Sequence, residues 1–353
     1  MNKECVNMIT ELSDCFGPSG FEDDVVKTAS KYASFAELSS DRMRNLYITP
    51  KGMSGEKPLV VLDAHSDEVG LMVHSIKPDG TLRFVPLGSI SPSCLPATAV
   101  SVKNERGELV NGMIGSVPPH YANKLDAKDF SALSIDVGAI NPQECSQNYA
   151  IAEADPVIFS TVCEFNEENG IFMGKAFDCR IGCAAVIESL KELEGETLSV
   201  DVMGVLSSQE EIGARGAKVA AKRLDPDVVI CFEGCPADDT IAEPYAMQTK
   251  LKHGPMLRHI DVSMVTNPRF QKFALNIAEK YNVPVQRGVR EGGGTNGEAY
   301  HTCENAAACI VIGVPVRYIH TPHCIAALSD FEAAVELAVN IVKELNEDII
   351  ESF

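Results

Sequence analysis

The chain has 353 residues, of which 45% are hydrophobic and 23% charged, and its formal net charge is −20. This is the composition of a folded chain of roughly two domains, not of a disordered one. The acidic excess argues against nucleic acid and anionic membrane as partners, since both need clustered Lys and Arg.

The N-terminal stretch MNKECVNMITELSDCFG has polar residues every few positions. It fits neither a signal peptide nor an anchor, and no later run reaches membrane-spanning length. Twelve cysteines without a secretion signal suit a reducing, cytoplasmic compartment. None are spaced C-x-x-C. The C-x3-C pairs Cys179/Cys183 and Cys231/Cys235 are a weak zinc-thiolate signal, and small buried hydrophobes are the preferred reading.

Apolar spacing predicts helices over 3–14 and 21–34, separated by a turn at FGPSGFE. KPLVVLDAHSDEVGLMVH reads as a strand with a polar interruption. From about 72 to 163, short alternating segments punctuated by Gly, Pro and Asn predict an all-β barrel or sandwich. Beyond 164 a helix at 180–193, a strand at 198–206, a helix at 214–223 and a strand at 227–232 follow in turn. A helix at 267–281, a strand at 307–314 and a helix from 329 to about 348 close the chain. The expected fold class is therefore α/β: a mixed, mainly parallel sheet with helices on both faces, plus an inserted β-barrel-like domain. The expected boundaries are 1–70 with 164–353 for the discontinuous catalytic domain and 71–163 for the insert.

Open α/β sheets place ligands beyond the carboxyl ends of their strands. There the sequence delivers His65 and Asp67 (HSDE), Asp178 (FDCR), Glu210 and Glu211 (SSQEEIG), Glu233 (CFEGC) and His320 (RYIHTPH). Each has an ordinary reading alone: a polar strand end, a helix N-cap at Asp178, a solvated loop at QEE. Five such sites at one sheet edge favour a metal centre over coincidence. Imidazole with carboxylate suits zinc, cobalt or manganese. Two divalent ions would carry +4 against −3 from Asp178, Glu211 and Glu233. One of the paired glutamates is then left to act as general base. Asp67, on the same strand face as His65, suits a role in holding the imidazole tautomer.

GPSGFE, AHSDEVG, GMIGSVPPH, SIDVGA, KAFDCRIGC, SSQEEIGARGA and VPVRYIHTP occur in that order nearly from end to end. On these motifs the chain resembles the co-catalytic metallo-aminopeptidase family that includes glutamyl, deblocking and tetrahedral (TET) aminopeptidases. The resemblance implies a zinc-exopeptidase-like fold and a cytosolic enzyme with two divalent metal ions, usually zinc or cobalt, that removes N-terminal residues from peptide substrates. Carried over by position, His65 is a ligand of one ion and Asp178 bridges. Glu211 and His320 hold the other, Glu210 is the general base, and Asp67 supports the metal site. Glu233 completes the ligand set where the family usually has aspartate, and Asn296 stands where it usually reads GGTD. The resemblance further implies self-association through the inserted β domain, from dimers up to a twelve-subunit tetrahedron.

Arg258, Asn296 and Glu298 are the candidate substrate contacts, in the loops at about 254–265 and 291–300. An N-acyl amino-acid deacylase or carboxypeptidase on the same metal core is an alternative enzyme. A metal-stabilised scaffold conflicts with an unligated Glu210. A glycosidase of endoglucanase type would leave the histidines unexplained, and adjacent Glu210 and Glu211 are poorly placed to flank a glycosidic bond. EGGGTNG lacks the strand and Lys-Ser/Thr of a phosphate loop.

Overall fold

The computed structural model describes residues 3–118, 120 and 129–353. Pro119 of the GMIGSVPPH motif, and part of the predicted insert, lie outside them.

Alternation of apolar side chains builds an eleven-stranded sheet covered on both faces. Its centre is four parallel strands in the order Asp201–Ser207, Leu59–His65, Val228–Pro236 and Ala308–Arg317. Val60, Leu62 and Ala64 point to one core, with Ile230, Phe232, Ile310 and Ile312. Val61 points to the other, with Val205, Val229 and Val311. The larger core is closed by helices Lys3–Asp14, Phe177–Glu192, Pro268–Tyr281 and Leu328–Glu344. The smaller core takes Ala217, Ala220 and Ala221 of helix Arg215–Leu224 and Ala299 and Tyr300 of the short helix Gly297–Tyr300.

Parallel pairing is confined mainly to this centre. Outside it, Leu46–Thr49 and Glu37–Ser40 on one flank run antiparallel, as do Cys324–Ala327, Ile171–Gly174 and Glu164–Asn166 on the other. The sheet is thus more evenly mixed than the sequence predicts. These flanking strands are three or four residues long, too short to show a periodicity.

A separate closed antiparallel barrel runs in the order Gly70–Ile76, Leu82–Leu87, Ile135–Asp136, Leu109–Ile114, Ala99–Lys103 and Pro156–Phe159. It has its own core, including Leu71, Val73, Phe84, Val100, Ile135 and Val157. Among the described residues no helix is long and apolar enough to cross a membrane.

Candidate metal centre

The register of the central strands brings the candidate residues together. Ser207 pairs with His65 across neighbouring strands, so the chain beyond Ser207 delivers Glu210 and Glu211 to the edge where His65 ends its strand. Glu233 lies opposite Gly313 on the next pair, and His320 follows the end of that strand. Gly234 permits the last approach. A Cβ there would lie 2.8 Å from Asp178 Cα and from Phe177 O, so only glycine lets this strand rest against the Asp178 segment.

Asp178 does not cap its helix. The N-cap is Ala176, in the left-handed region, while Asp178 has non-helical dihedrals and turns into the site. Its two oxygens serve two histidines: Oδ1 lies 3.0 Å from His65 Nε2, and Oδ2 lies 3.0 Å from His320 Nε2. Glu233 Oε2 is 3.5 Å from His65 Nε2, and Glu211 Oε1 is 3.3 Å from His320 Nε2. Two donor groups result, sharing Asp178: His65, Asp178, Cys179 and Glu233 in one, and Asp178, Glu211 and His320 in the other. Within each group the donor atoms lie within 4.8 Å of one another.

The far side of each ring fixes its tautomer. His65 Nδ1 faces the Asp67 carbonyl oxygen at 3.2 Å and Asp67 Oδ1 at 3.3 Å. His320 Nδ1 faces Ser89 O at 2.8 Å. These are acceptors, so each Nδ1 carries a proton, and each Nε2, facing carboxylate oxygens, must hold either a second proton or a cation.

The electrostatics carry the same demand. Burial works against a charged His320, but its hydrogen bond to Asp178 and the nearby Glu211 carboxylate prevail and push its pKa up to about 11. Burial likewise opposes charge on His65, and Glu233, Asp178 and Asp67 override it, raising the pKa well above the usual value. Burial would raise Asp178, yet the two histidines hold it below the usual carboxylate range. Glu211 Oε1 and Glu233 Oε2 are buried oxygens that receive no well-formed hydrogen bond, a state that costs roughly 1–3 kcal/mol each unless a cation satisfies them. The donor set therefore fits divalent ions.

Behind the ligands, Asp67 organises the loop. It accepts from Ser19 Oγ at 2.5 Å, from Glu210 N at 2.9 Å and from Glu211 N at 3.2 Å. Glu22 accepts from Gln209 N at 3.2 Å and Gly20 N at 2.7 Å. GPSGFE is thus the brace of QEE. Glu68 accepts from Lys175 Nζ at 2.8 Å and Arg180 Nη2 at 3.1 Å, while Arg180 also donates to Ser66 O and Gly17 O. Ser19, Glu22 and Glu68 stand in motifs conspicuous in the sequence. Ser89 offers a backbone carbonyl from the barrel, which no side-chain pattern reveals.

A pocket of about 650 Å³ opens over the two donor groups. Glu210 lines it, as do Arg258 and Glu298. Burial pushes the Glu210 carboxyl well above its ordinary value. Arg258 is buried and ion-paired to Asp261 at 3.0 Å, and Glu298 pairs with Lys218 at 2.8 Å. Asn296, the third expected substrate contact, is not among the residues that line this pocket. It is buried beneath it, and its Nδ2 donates to Asp63 Oδ1 and Ser207 Oγ, both at 2.7 Å. Cys231 and Cys235 are buried in their strand, and among the described residues neither joins a candidate metal group. All twelve cysteines are free.

Known proteins share both fold and chain. The lysyl aminopeptidase of Pyrococcus furiosus is 32% identical, over 96% of each chain. The crystal structure of a TET aminopeptidase from the marine sediment archaeon Thaumarchaeota archaeon SCGC AB-539-E09 superposes with a TM-score of 0.92 at 30% identity, over 99% of each chain. The Pyrococcus horikoshii TET1 peptidase, described as assembling into a tetrahedron or a large octahedral shell, gives 0.86 at 27% identity, over 97% of this chain and all of that one. This chain is accordingly a peptide hydrolase of the aminopeptidase class. Residues 44–337 match the M42 glutamyl aminopeptidase profile, and the chain belongs to that metal-dependent family.

Proposed function

We propose that this protein hydrolyses the N-terminal peptide bond of peptides at a two-ion site, with Glu210 as general base. The observation that carries this reading is the place of Glu210. It lines the pocket beside both donor groups and belongs to neither. His65, Asp178 and Glu233 would hold one ion and Asp178, Glu211 and His320 the other, with zinc favoured and cobalt or manganese also suited to imidazole and carboxylate. When bound, such ions supply Lewis acidity to the scissile carbonyl and an anchor for the free α-amino group.

Glu210 takes a proton from the attacking water and returns it to the leaving amine. Burial makes its carboxylate a stronger base than a free one, which suits it to accept that proton. Asp67 is a positioning residue, fixing the His65 tautomer and the backbone of Glu210 and Glu211. Arg258 and Glu298 are the proposed substrate contacts. The barrel segment, 71–163, is the proposed insert in a catalytic unit made of 1–70 and 164–353. It would carry self-association, as the assembly of the TET1 relative suggests. Twelve free thiols suit a cytosolic home.

The test is a panel of aminoacyl chromogens, with free and acetylated amines, on chelator-treated protein reloaded with one metal at a time. The reading expects free-amine substrates to be cleaved only after reloading. Full activity of the chelated protein would sink it, and preference for acetylated substrates would point to a deacylase.

A further inference from the structure

The two donor groups differ in one atom type. Around Asp178, Glu211 and His320 every donor is oxygen or nitrogen, while the His65, Asp178 and Glu233 group also contains the Cys179 sulfur. Cys179 is fully buried and its Sγ donates to Phe232 O at 3.2 Å, the carbonyl just before Glu233. Glu233 Oε2, in the same group, is a buried oxygen without a hydrogen-bond donor. A soft sulfur, an orphaned carboxylate oxygen, an imidazole and the carboxylate shared with the other group thus lie within 4.8 Å of one another.

We propose that Cys179 is the fourth protein donor of the His65–Asp178–Glu233 position, which makes that position the softer and more closed of the two. The proposal rests on the two-ion reading above. Four protein donors with one thiolate resemble a closed, zinc-selective site, whereas three hard donors leave a position open for substrate. On binding, the divalent ion takes the place of the thiol proton, which is released to solvent, so a metal–sulfur bond forms as the S–H bond breaks. The sulfur then no longer donates to Phe232 O. The second position keeps its opening toward the pocket, so the two ions would differ in exchange rate and metal preference.

The experiment titrates cobalt(II) alone into chelator-treated full-length protein, comparing wild type with Cys179→Ser and Cys183→Ser. Cys183 is the control because it is also buried nearby, its Sγ donating to His65 O at 3.0 Å. The visible d–d bands report binding, and the near-ultraviolet sulfur-to-cobalt band reports a thiolate ligand. The proposal expects both in wild type and in Cys183→Ser, with the sulfur band lost in Cys179→Ser while the d–d bands remain. Visible bands without a sulfur band in wild type would overturn the Cys179 assignment and leave the two-ion reading standing. A sulfur band surviving in Cys179→Ser would also overturn it. Absence of every band would overturn the two-ion reading and the proposal with it. Should Cys179→Ser fail to fold, X-ray absorption on wild type loaded with two zinc ions decides. A sulfur shell at about 2.3 Å, one per two zinc ions, supports the proposal, and nitrogen and oxygen alone at about 2.0–2.2 Å overturn it.

Discussion

His320 Nδ1 lies 2.8 Å from the carbonyl oxygen of Ser89, so a residue of the barrel sets the tautomer of a histidine on the sheet. The two residues are 231 positions apart. The barrel therefore reaches into the site as well as folding around its own core.

Gly88 gives this link a handle. It has φ +87°, and a Cβ there would lie 3.1 Å from Glu211 Cβ, 3.3 Å from Glu211 Oε2 and 2.9 Å from Val69 Cγ1. Gly88→Ala should displace Glu211 and lower metal affinity about tenfold, as changes behind a ligand do. Competition with a chromophoric chelator measures it. Unchanged affinity would mean that the barrel does not help shape the site.

Asp67→Asn keeps the shape of the side chain but turns one acceptor into a donor. Three donors already converge on the carboxylate, from Ser19, Glu210 and Glu211. An Nδ2 must oppose at least one of them, and His65 Nδ1 loses its anionic partner. Metal affinity should fall roughly 10–100-fold, with a parallel loss in kcat/KM. Metal content by elemental analysis, read beside kinetics on fully loaded protein, separates the two effects.

Asn296→Asp would set a second buried carboxylate against Asp63, whose Oδ1 now accepts from the Asn296 amide at 2.7 Å. An uncompensated buried charge costs about 3 kcal/mol or more at neutral pH. Urea denaturation should show that loss, and Asp63→Asn in the same chain should recover most of it. No loss in the single variant would contradict the buried role assigned to Asn296.

Asp330 offers a pH signature away from the metal ligands. It is buried, accepts from Lys252 N at 2.7 Å and Gly254 N at 2.8 Å, and so holds the loop that leads into strand Met256–Ile260, which carries Arg258. Burial raises its pKa, and the two backbone donors only partly offset this. With the folded pKa above the unfolded value of about 3.9, the folded state holds the proton longer. The stability it contributes is full below that value and is lost as pH rises through the folded pKa. Asp330→Asn should cost about 1–3 kcal/mol at low pH for the lost acceptor, and the deficit should shrink as pH rises. Urea midpoints for both proteins across acid to neutral pH check the sign.

The convergence of His65, Glu211, Glu233 and His320 was legible in the sequence because each ends or follows a strand of strong periodicity, and the parallel pairing of those strands brings their ends to one edge. Asp178 was legible from the helix that it begins. The short strands at the flanks left no such trace. The packing of Asn296 was not legible, because only tertiary structure puts Asp63 and Ser207 against a polar residue of a glycine-rich loop. Cys179 was read as a small buried hydrophobe, its C-x3-C spacing to Cys183 being only a weak thiolate signal, and only the fold shows its sulfur within 4.8 Å of the His65, Asp178 and Glu233 donor atoms. Ser89 acts through its backbone, so its residue type carried no information.

The central claim is that Glu210 moves the proton and holds no metal. Glu210→Gln tests it by replacing the base with a neutral isostere. Metal content should be unchanged, while kcat toward an aminoacyl chromogen should fall roughly 10²–10⁴-fold. Unchanged turnover, or loss of a metal ion from the variant, would contradict the account.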